Sequence, residues 1–348
     1  MKYALALAGG GTRGAFQAGV WRALREMEME ISAITGTSIG AVNGAMFALG
    51  RDTEDMWRNI SVDDIVDVPK KNSNLLSLES LPGIVKKGVG EGGLDAAPFK
   101  RLLTSLISED ELRSSPVDYG LCTFSITDKR SVEVFKEDIP DGRLVDFILA
   151  SACFPVFKPM VIDGKEYTDG STRNNLPINM LIGRGYDTII SVSVKGVGVI
   201  KDYNGCGANV IRVDSPAPEV GLMDFDGEAI GRSIKSGYFE CMKVFGQYSG
   251  STYSFYNASY REAVSAFGEE LIHGVEAAAK MIGIDPYVPY SFKDLALTVL
   301  AEYEKSPRLR RMTEHIARGK DNFINEKLDM LGELYYAANS IVYLSKYL

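Results

Sequence analysis

Two glycine-rich turns near the start of the chain carry residue types that can do acyl chemistry. Gly9-Gly10-Gly11-Thr12-Arg13-Gly14 follows the apolar run Tyr3–Ala8, and Gly36-Thr37-Ser38-Ile39-Gly40 follows the apolar run Ile31–Thr35. In the second turn, glycines on both sides of a serine relieve crowding at a sharp strand-to-helix bend, so the hydroxyl stands clear of the sheet edge. A helix starting at Ser38 puts partial positive charge beside that oxygen and favours its alkoxide. Backbone N–H groups of the first turn can then face the oxyanion that forms on an acyl group attached to Ser38.

Each turn alone has a plainer reading. Gly-x-Ser-x-Gly is often a tight turn with serine as N-cap. Gly9-x-Gly11-x-x-Gly14 after a strand is the usual mark of a dinucleotide site, which demands an acidic residue closing the second strand. That strand ends in Thr35-Gly36-Thr37-Ser38, and the nearest acids, Glu28 and Glu30, precede it. The nucleotide fingerprint lacks its acidic half. Placement favours the esterase reading: both turns end adjacent parallel strands on the side of the sheet where α/β folds put their sites.

A serine nucleophile requires a base. The only histidines, His273 and His315, stand in the C-terminal stretch with no neighbours that mark them as catalytic. A surface or core role is the expectation for both. The other candidate is Asp169 in Tyr167-Thr168-Asp169-Gly170-Ser171, where Gly170 would let the backbone pass close to Ser38. By itself an Asp-Gly pair is an ordinary turn.

Taken together, Gly9–Gly14, Gly36–Gly40 and Asp169-Gly170-Ser171 resemble the motifs of the patatin-like phospholipases. Ala150-Ser151-Ala152-Cys153-Phe154-Pro155 and Asn175-Leu176-Pro177 add to the resemblance, which covers roughly residues 1–245. It implies a lipid acyl hydrolase of phospholipase A type that uses a Ser–Asp dyad without histidine; no cofactor or metal is expected. Ser38 would be the nucleophile, in an elbow flanked by Gly36 and Gly40, and Asp169 its base. The oxyanion hole would lie in the loop Gly9–Gly14, around the amides of Gly10, Gly11 and Thr12. Arg13 would stabilise that loop or an anionic substrate. The family's third motif ends in Gly or Ala where this chain has Ser171; serine is nearly as small, so Asp169 is expected to keep its position. Burial beneath apolar residues such as Phe154 and Phe157 would raise the Asp169 pKa and make it a better base.

The elements that must position these residues follow from pattern. Tyr3–Ala8 and Ile31–Thr35 read as strands, and Phe16, Val20, Leu24 and Met27 share one face of a helix over 15–27. Ile39–Leu49 reads as a small-residue helix, and a further helix spans 95–107, capped by Asp95. A hairpin is predicted at 119–126 and 131–135, a helix at 144–152, strands at 187–194 and 210–213, and a long helix at 225–245. Strands alternating with helices imply a three-layer α/β sandwich: a mostly parallel central sheet with helices on both faces. After about Tyr248 the patterns are helical, over 263–281, 292–303 and 322–347, with breaks at Pro286, Pro289 and Pro307. The reading is a patatin-like domain over 1–248 and a helical extension over 249–348 packed on it.

Composition narrows the alternatives. The 348-residue chain is 45% hydrophobic with a net charge of -8, which argues against non-specific nucleic-acid binding. Its four cysteines, Cys122, Cys153, Cys206 and Cys241, form no CxxC pair, so reduced thiols are expected rather than a zinc site. No acidic loop has calcium-ligand spacing. Tyr3–Ala8 is too short for a signal-peptide core, and no apolar run reaches the roughly 18 residues of a membrane span. A cytoplasmic protein is expected, with peripheral contact at the inner membrane face offered by Lys305–Lys320, whose six basic residues accompany one acid. A solvated helix face explains that stretch equally. Ala41, Ala45, Met46, Phe47, Ala48 and the segment Leu75–Val89 are candidates either for an acyl groove or for core. The contrasting function is a catalytically idle or nucleotide-binding α/β module acting through its C-terminal helices.

Overall fold

Tyr3–Leu7 places no charge on either face, the pattern of a strand covered on both sides, and it becomes the centre of a sheet. In the computed structural model residues 2–66, 93–203, 207–318 and 328–347 are described. They fall into two compact units, Met1–Cys241 and Met242–Leu348. The first holds strands β1 (Tyr3–Leu7), β2 (Ile31–Thr37), β3 (Asp118–Ser125), β4 (Arg130–Phe135), β5 (Met160–Ile162), β6 (Lys165–Asp169), β7 (Thr188–Ser193) and β8 (Asn209–Asp214). Their order is β5-β6-β3-β2-β1-β7-β8, with β4 paired to β3. From β3 to β8 neighbours run parallel, while β4 and β6 run antiparallel to β3. This is the mostly parallel sheet that the alternating pattern predicts.

Strand β3 acts as a ruler for the site. β4 occupies one of its edges along Gly120–Ser125. The other edge is shared: β2 pairs with Asp118–Cys122, ending at Thr37 opposite Cys122, and β6 pairs with Thr123–Ser125, ending at Asp169 opposite Thr123. β2 runs parallel to β3 and β6 antiparallel, so their C-terminal ends meet head on at the Cys122–Thr123 step. The residue after Thr37 is Ser38.

Helices cover both faces. Helix α1 (Ala15–Glu26) follows the glycine loop, α2 (Ile39–Ala48) follows Ser38, α3 (Ala97–Leu106) precedes β3, α4 (Leu144–Ser151) follows β4 and α5 (Gly227–Val244) follows β8. Tyr119 of β3 points to α2, its hydroxyl donating to the Ala41 carbonyl at 2.7 Å. Its neighbour Gly120 has the Met180 side chain of the short helix Ile178–Gly183 against it. Consecutive strand residues face opposite sides, so the two helices lie on opposite faces. The helix predicted from Asp95 starts at Ala97, with Ala96 at its cap position; Asp95, one residue further out, accepts the Ala97 N–H at 2.8 Å.

Helices α1 and α5 cross at two glycines. A Cβ on Gly19 would overlap the Ile234 carbonyl, and one on Gly237 would overlap the Phe16 carbonyl. Backbone meets backbone there, with no side chain to give way. Gly19→Val is therefore expected to lower unfolding stability by about 3 kcal/mol, the upper range for overpacking. The urea midpoint measures it; an unchanged midpoint would show that the crossing can part without cost.

The second unit is helical: α6 (Asn257–Phe267), α7 (Glu269–Ile282), α8 (Phe292–Glu302), α9 (Pro307–Ala317) and α10 (Leu328–Leu344), with a two-stranded parallel pair, β9 (Ser254–Phe255) and β10 (Pro289–Tyr290). Its core gathers Phe255, Ile272, Val275, Leu295, Val299 and Ile341. Two expectations are corrected here. The helix predicted over 263–281 is broken at Gly268, whose φ of +79° is a glycine conformation, so 257–267 and 269–282 are separate helices. Pro307 starts a helix instead of breaking one, since it sits in the first turn behind the Ser306 cap. Tyr253 is buried, and Tyr260 and Tyr290 pack against the same core. In the basic stretch, Lys305 pairs with Glu302, and Arg310 and Arg318 pair with Glu314; Lys320 lies outside the described residues. Among the described residues no helix is long and apolar enough to cross a membrane.

Candidate active site

The turn after β2 is a strained elbow. Ser38 adopts φ +56° and ψ -129°, a conformation that costs an L-residue about 1–3 kcal/mol and needs surrounding contacts to persist. Both flanking glycines are required for close approach. A Cβ on Gly36 would overlap the Gly40 carbonyl, and one on Gly40 the Leu7 carbonyl of β1. The Ser38 N–H donates to Ser151 Oγ at 3.0 Å, and Ser151 Oγ donates to the Cys122 carbonyl at 2.7 Å. Thus the end of α4 ties the strained serine to the β3 step where β2 and β6 meet. Thr37 and Thr35 anchor the strand below it, donating to the Asn174 and Pro177 carbonyls.

Asp169 is fully buried. Burial pushes its carboxyl above the usual carboxylate range, while the Ser38 hydroxyl and the Ser171 amide and hydroxyl oppose that rise. The Ser171 N–H donates to Oδ1 at 2.8 Å. Oδ2 is buried with no hydrogen-bond partner of standard geometry, so the Ser38 hydroxyl faces the carboxylate without a closed bond. A long or poorly aligned contact of this kind is common in substrate-free sites. Gly170 is needed not for an approach to Ser38 but for one to β3, where its Cβ would overlap the Cys122 carbonyl. Phe157 is buried beside this site and Phe154 is partly exposed, and both line the cavity described below.

The glycine loop after β1 is held by groups distant in sequence. The Gly9 N–H is spent on Asn175, whose main-chain and side-chain oxygens both lie 3.1 Å away. The Thr12 N–H donates to the Leu222 carbonyl at 3.0 Å and the Arg13 N–H to the Gly10 carbonyl at 3.2 Å. Arg13 itself is spent on the loop, its guanidinium donating to the Lys195 and Val220 carbonyls. Gly14 lies against Ile39 and Trp57, and its carbonyl accepts from Asn43 at 3.0 Å. Of the loop amides offered by the sequence for an oxyanion, Thr12's is therefore already engaged. Those of Gly10 and Gly11 have no internal acceptor among the described residues. Gly11 needs its φ of +57°, and a Cβ there would overlap the Leu222 carbonyl.

Gly10, Gly11, Ser38 and Ser171 open onto one cavity of about 80 Å³, walled by apolar side chains that include Trp57, Phe99 and Phe157. It contains no histidine; His273 lies on α7 and His315 on α9. Ala41, Ala45, Met46, Phe47 and Ala48 do not line it. They are core residues, with Phe47 stacked on Trp21 at 4.6 Å. Leu75–Val89 lies outside the described residues. Cys122, Cys153 and Cys241 are free thiols; Cys206 lies outside the described residues. Among those residues no group of His, Cys, Asp and Glu could hold a metal ion.

Two contributors carry no catalytic signal in sequence, Ser151 and Asn175. Both fall in segments flanking the Asp motif, but only the fold shows that one holds the Ser38 amide and the other the Gly9 amide. Ser151→Ala leaves the Ser38 N–H unpaired in a buried place and frees the strained turn. It is expected to lower kcat by about 10–100-fold through misplacement of the nucleophile, with KM within threefold. Steady-state kinetics on a soluble ester measure this; an unchanged kcat would show that the elbow holds itself.

A family model described as patatin-like phospholipase matches residues 5–182. An uncharacterized NTE family protein of Mycobacterium tuberculosis is 29% identical over 197 residues, covering 56% of this chain and 49% of the relative. The patatin-like phospholipase domain-containing protein 7 of Rattus norvegicus is 28% identical over 194 residues, covering 55% of this chain and 13% of the relative. The matches thus span half or less of these relatives' own lengths. Among solved structures, VipD from Legionella pneumophila is similar at a TM-score of 0.41 and 13% identity, covering 98% of this chain and 89% of that one.

Proposed function

Because this chain belongs to the patatin-like phospholipase family, whose membership supports lipid ester hydrolysis as its chemistry, we propose that it cleaves fatty-acyl esters of phospholipids, lysophospholipids or related lipids as a phospholipase A-type hydrolase. Ser38 is the nucleophile and Asp169 the base of a two-residue site. The observation that carries the reading is the shared edge of β3, which brings the ends of β2 and β6 together and sets the Ser38 hydroxyl against a buried carboxylate.

The steps balance on these residues. Asp169 accepts the Ser38 proton as Oγ attacks the ester carbonyl, and the carbonyl oxygen becomes an anion facing the Gly10 and Gly11 amides. Asp169 returns the proton to the departing alcohol as the carbon–oxygen bond breaks. It then takes a proton from water, which attacks the acyl group on Ser38 and releases the fatty acid, and the serine recovers its proton. Removing the carboxylate from water makes it a stronger base than a solvated one, which suits a site without histidine. The apolar walls fit the first carbons of an acyl chain.

The test is hydrolysis of phosphatidylcholine, lysophosphatidylcholine, galactolipid and triacylglycerol by wild type and Ser38→Ala. Release of fatty acid by wild type and none by the variant is expected. Equal release by both would place the chemistry elsewhere.

A further inference from the structure

Exposed apolar side chains of the Met1–Cys241 unit gather near the cavity at Ser38. Among that unit's described residues the exposed large apolar side chains are Phe154, Val161, Val197, Val199 and Ile200. They fall in two short segments, 154–161 and 197–200, and both segments contribute walls to the cavity at Ser38, through Phe154, Phe157 and Val197. Val197, Val199 and Ile200 are 65%, 55% and 47% exposed. Isolated exposed apolar residues are ordinary, but a contiguous group around a pocket marks an interaction surface.

The second segment is not a slack loop that could fold its side chains inward. The Val199 N–H donates to the Ser171 carbonyl at 2.9 Å, and the Val199 carbonyl accepts from the Asn175 N–H at 2.6 Å. Upstream, the Lys195 carbonyl accepts from the Arg13 guanidinium, and Gly196 packs so closely on Gly9 that a Cβ would overlap its carbonyl. The backbone that presents these side chains to solvent is thus tied to the glycine loop on one side and to the Asp169 turn on the other.

We propose that Val197, Val199 and Ile200, together with Phe154 of the other segment, dock on the surface of a lipid aggregate and seat the cavity mouth against it. The inference rests on the lipid-hydrolase reading and names the surface through which that site meets its substrate. Two facts select a lipid surface as the occupant. Phe154 and Val197 are both exposed and part of the cavity wall, so apolar surface runs from the outside of the protein into the site. A cavity of about 80 Å³ is far smaller than the roughly 300–1,000 Å³ of sites that enclose a drug-sized ligand, so most of a long acyl chain stays outside while its ester reacts. Lipid around the mouth gives that part of the chain an apolar medium. Side chains dipping into the acyl boundary supply affinity in proportion to the apolar area they bury.

The test uses the full chain and vesicles of dioleoylphosphatidylcholine. Binding is measured by co-sedimentation with Ser38→Ala, so that no lipid is consumed, and with Ser38→Ala carrying Val199→Ser and Ile200→Ser. Those two side chains do not line the cavity. Turnover of a soluble short-chain ester is followed in parallel with Ser38 intact. The expected result is about tenfold or greater loss of vesicle partition in the Val199→Ser/Ile200→Ser protein, with short-chain turnover within twofold of wild type. Equal vesicle binding would overturn the proposal. So would unchanged binding accompanied by a shift from dimer to monomer in sedimentation without lipid, which would assign the patch to a second copy of this chain. Failure of the wild type to hydrolyse any ester would instead sink the hydrolase reading, and it is visible in the parallel assay.

Discussion

Asp169→Asn is expected to lower kcat/KM on a soluble ester by about 10³-fold, within the 10²–10⁴ that a positioned general base contributes. The substitution keeps the shape of the side chain and its acceptor for the Ser171 N–H, and removes only the ability to take a proton. The pH dependence carries its own sign. Burial raises the Asp169 pKa above its ordinary value and the active form is the carboxylate, so wild-type activity rises with pH through an apparent pKa above that of a solvated aspartate. The variant's residual rate lacks that limb. Stability moves the opposite way. A folded state that holds the Asp169 proton more tightly than the unfolded chain gains stability that is fully present below the ordinary carboxylate pKa. It loses that contribution as pH rises through the folded value. At neutral pH the Asn variant should therefore melt higher than wild type, and the gap should close in acid. A variant that kept full activity, or melted lower at neutral pH, would show that Asp169 is not a buried base.

The second large effect is expected at Gly11. Gly11→Ala forces a side chain into a left-handed backbone and against the Leu222 carbonyl, which also holds the Thr12 N–H. The loop must move, and the Gly10 and Gly11 amides move with it. Loss of one aimed donor costs about 10²–10³ in kcat, and that range is expected here, with KM within a few-fold. Gly50 separates strain from displacement. It has φ +67° with nothing within 4 Å of a Cβ, so Gly50→Ala should cost about 1–2 kcal/mol of stability and leave kcat unchanged. Equal kinetic losses in both variants would mean that Gly11 acts through stability alone.

Much of this arrangement is legible in the chain. The strands at 3–8 and 31–35 are short, uncharged and mainly apolar runs closed by glycine, the pattern of buried strands. The elbow is legible because glycines on both sides of Ser38 mark a sharp strand-to-helix bend, although a serine alone at that place is an ordinary N-cap. What sequence could not give is the end-to-end meeting of β2 and β6. It depends on β4 taking the other edge of β3, a non-local choice that no spacing encodes. The holding roles of Ser151 and Asn175 are hidden for the same reason, since a buried serine or asparagine looks alike whichever amide it satisfies. The small residues of α2 left groove and core open in sequence; Ala41, Ala45 and Ala48 are core and line no cavity. The break at Gly268 shows the converse. A helical period runs through 263–281, yet one left-handed glycine divides it.

The most direct test is mass mapping of the covalent adduct after treatment with a fluorophosphonate ester, on wild type, Ser38→Ala and the His273→Ala/His315→Ala double variant. The account predicts one adduct, on the peptide carrying Ser38, absent from the Ser38→Ala protein and formed at an undiminished rate when both histidines are gone. An adduct on another residue, or one that vanishes with the histidines while the protein stays folded, would contradict it.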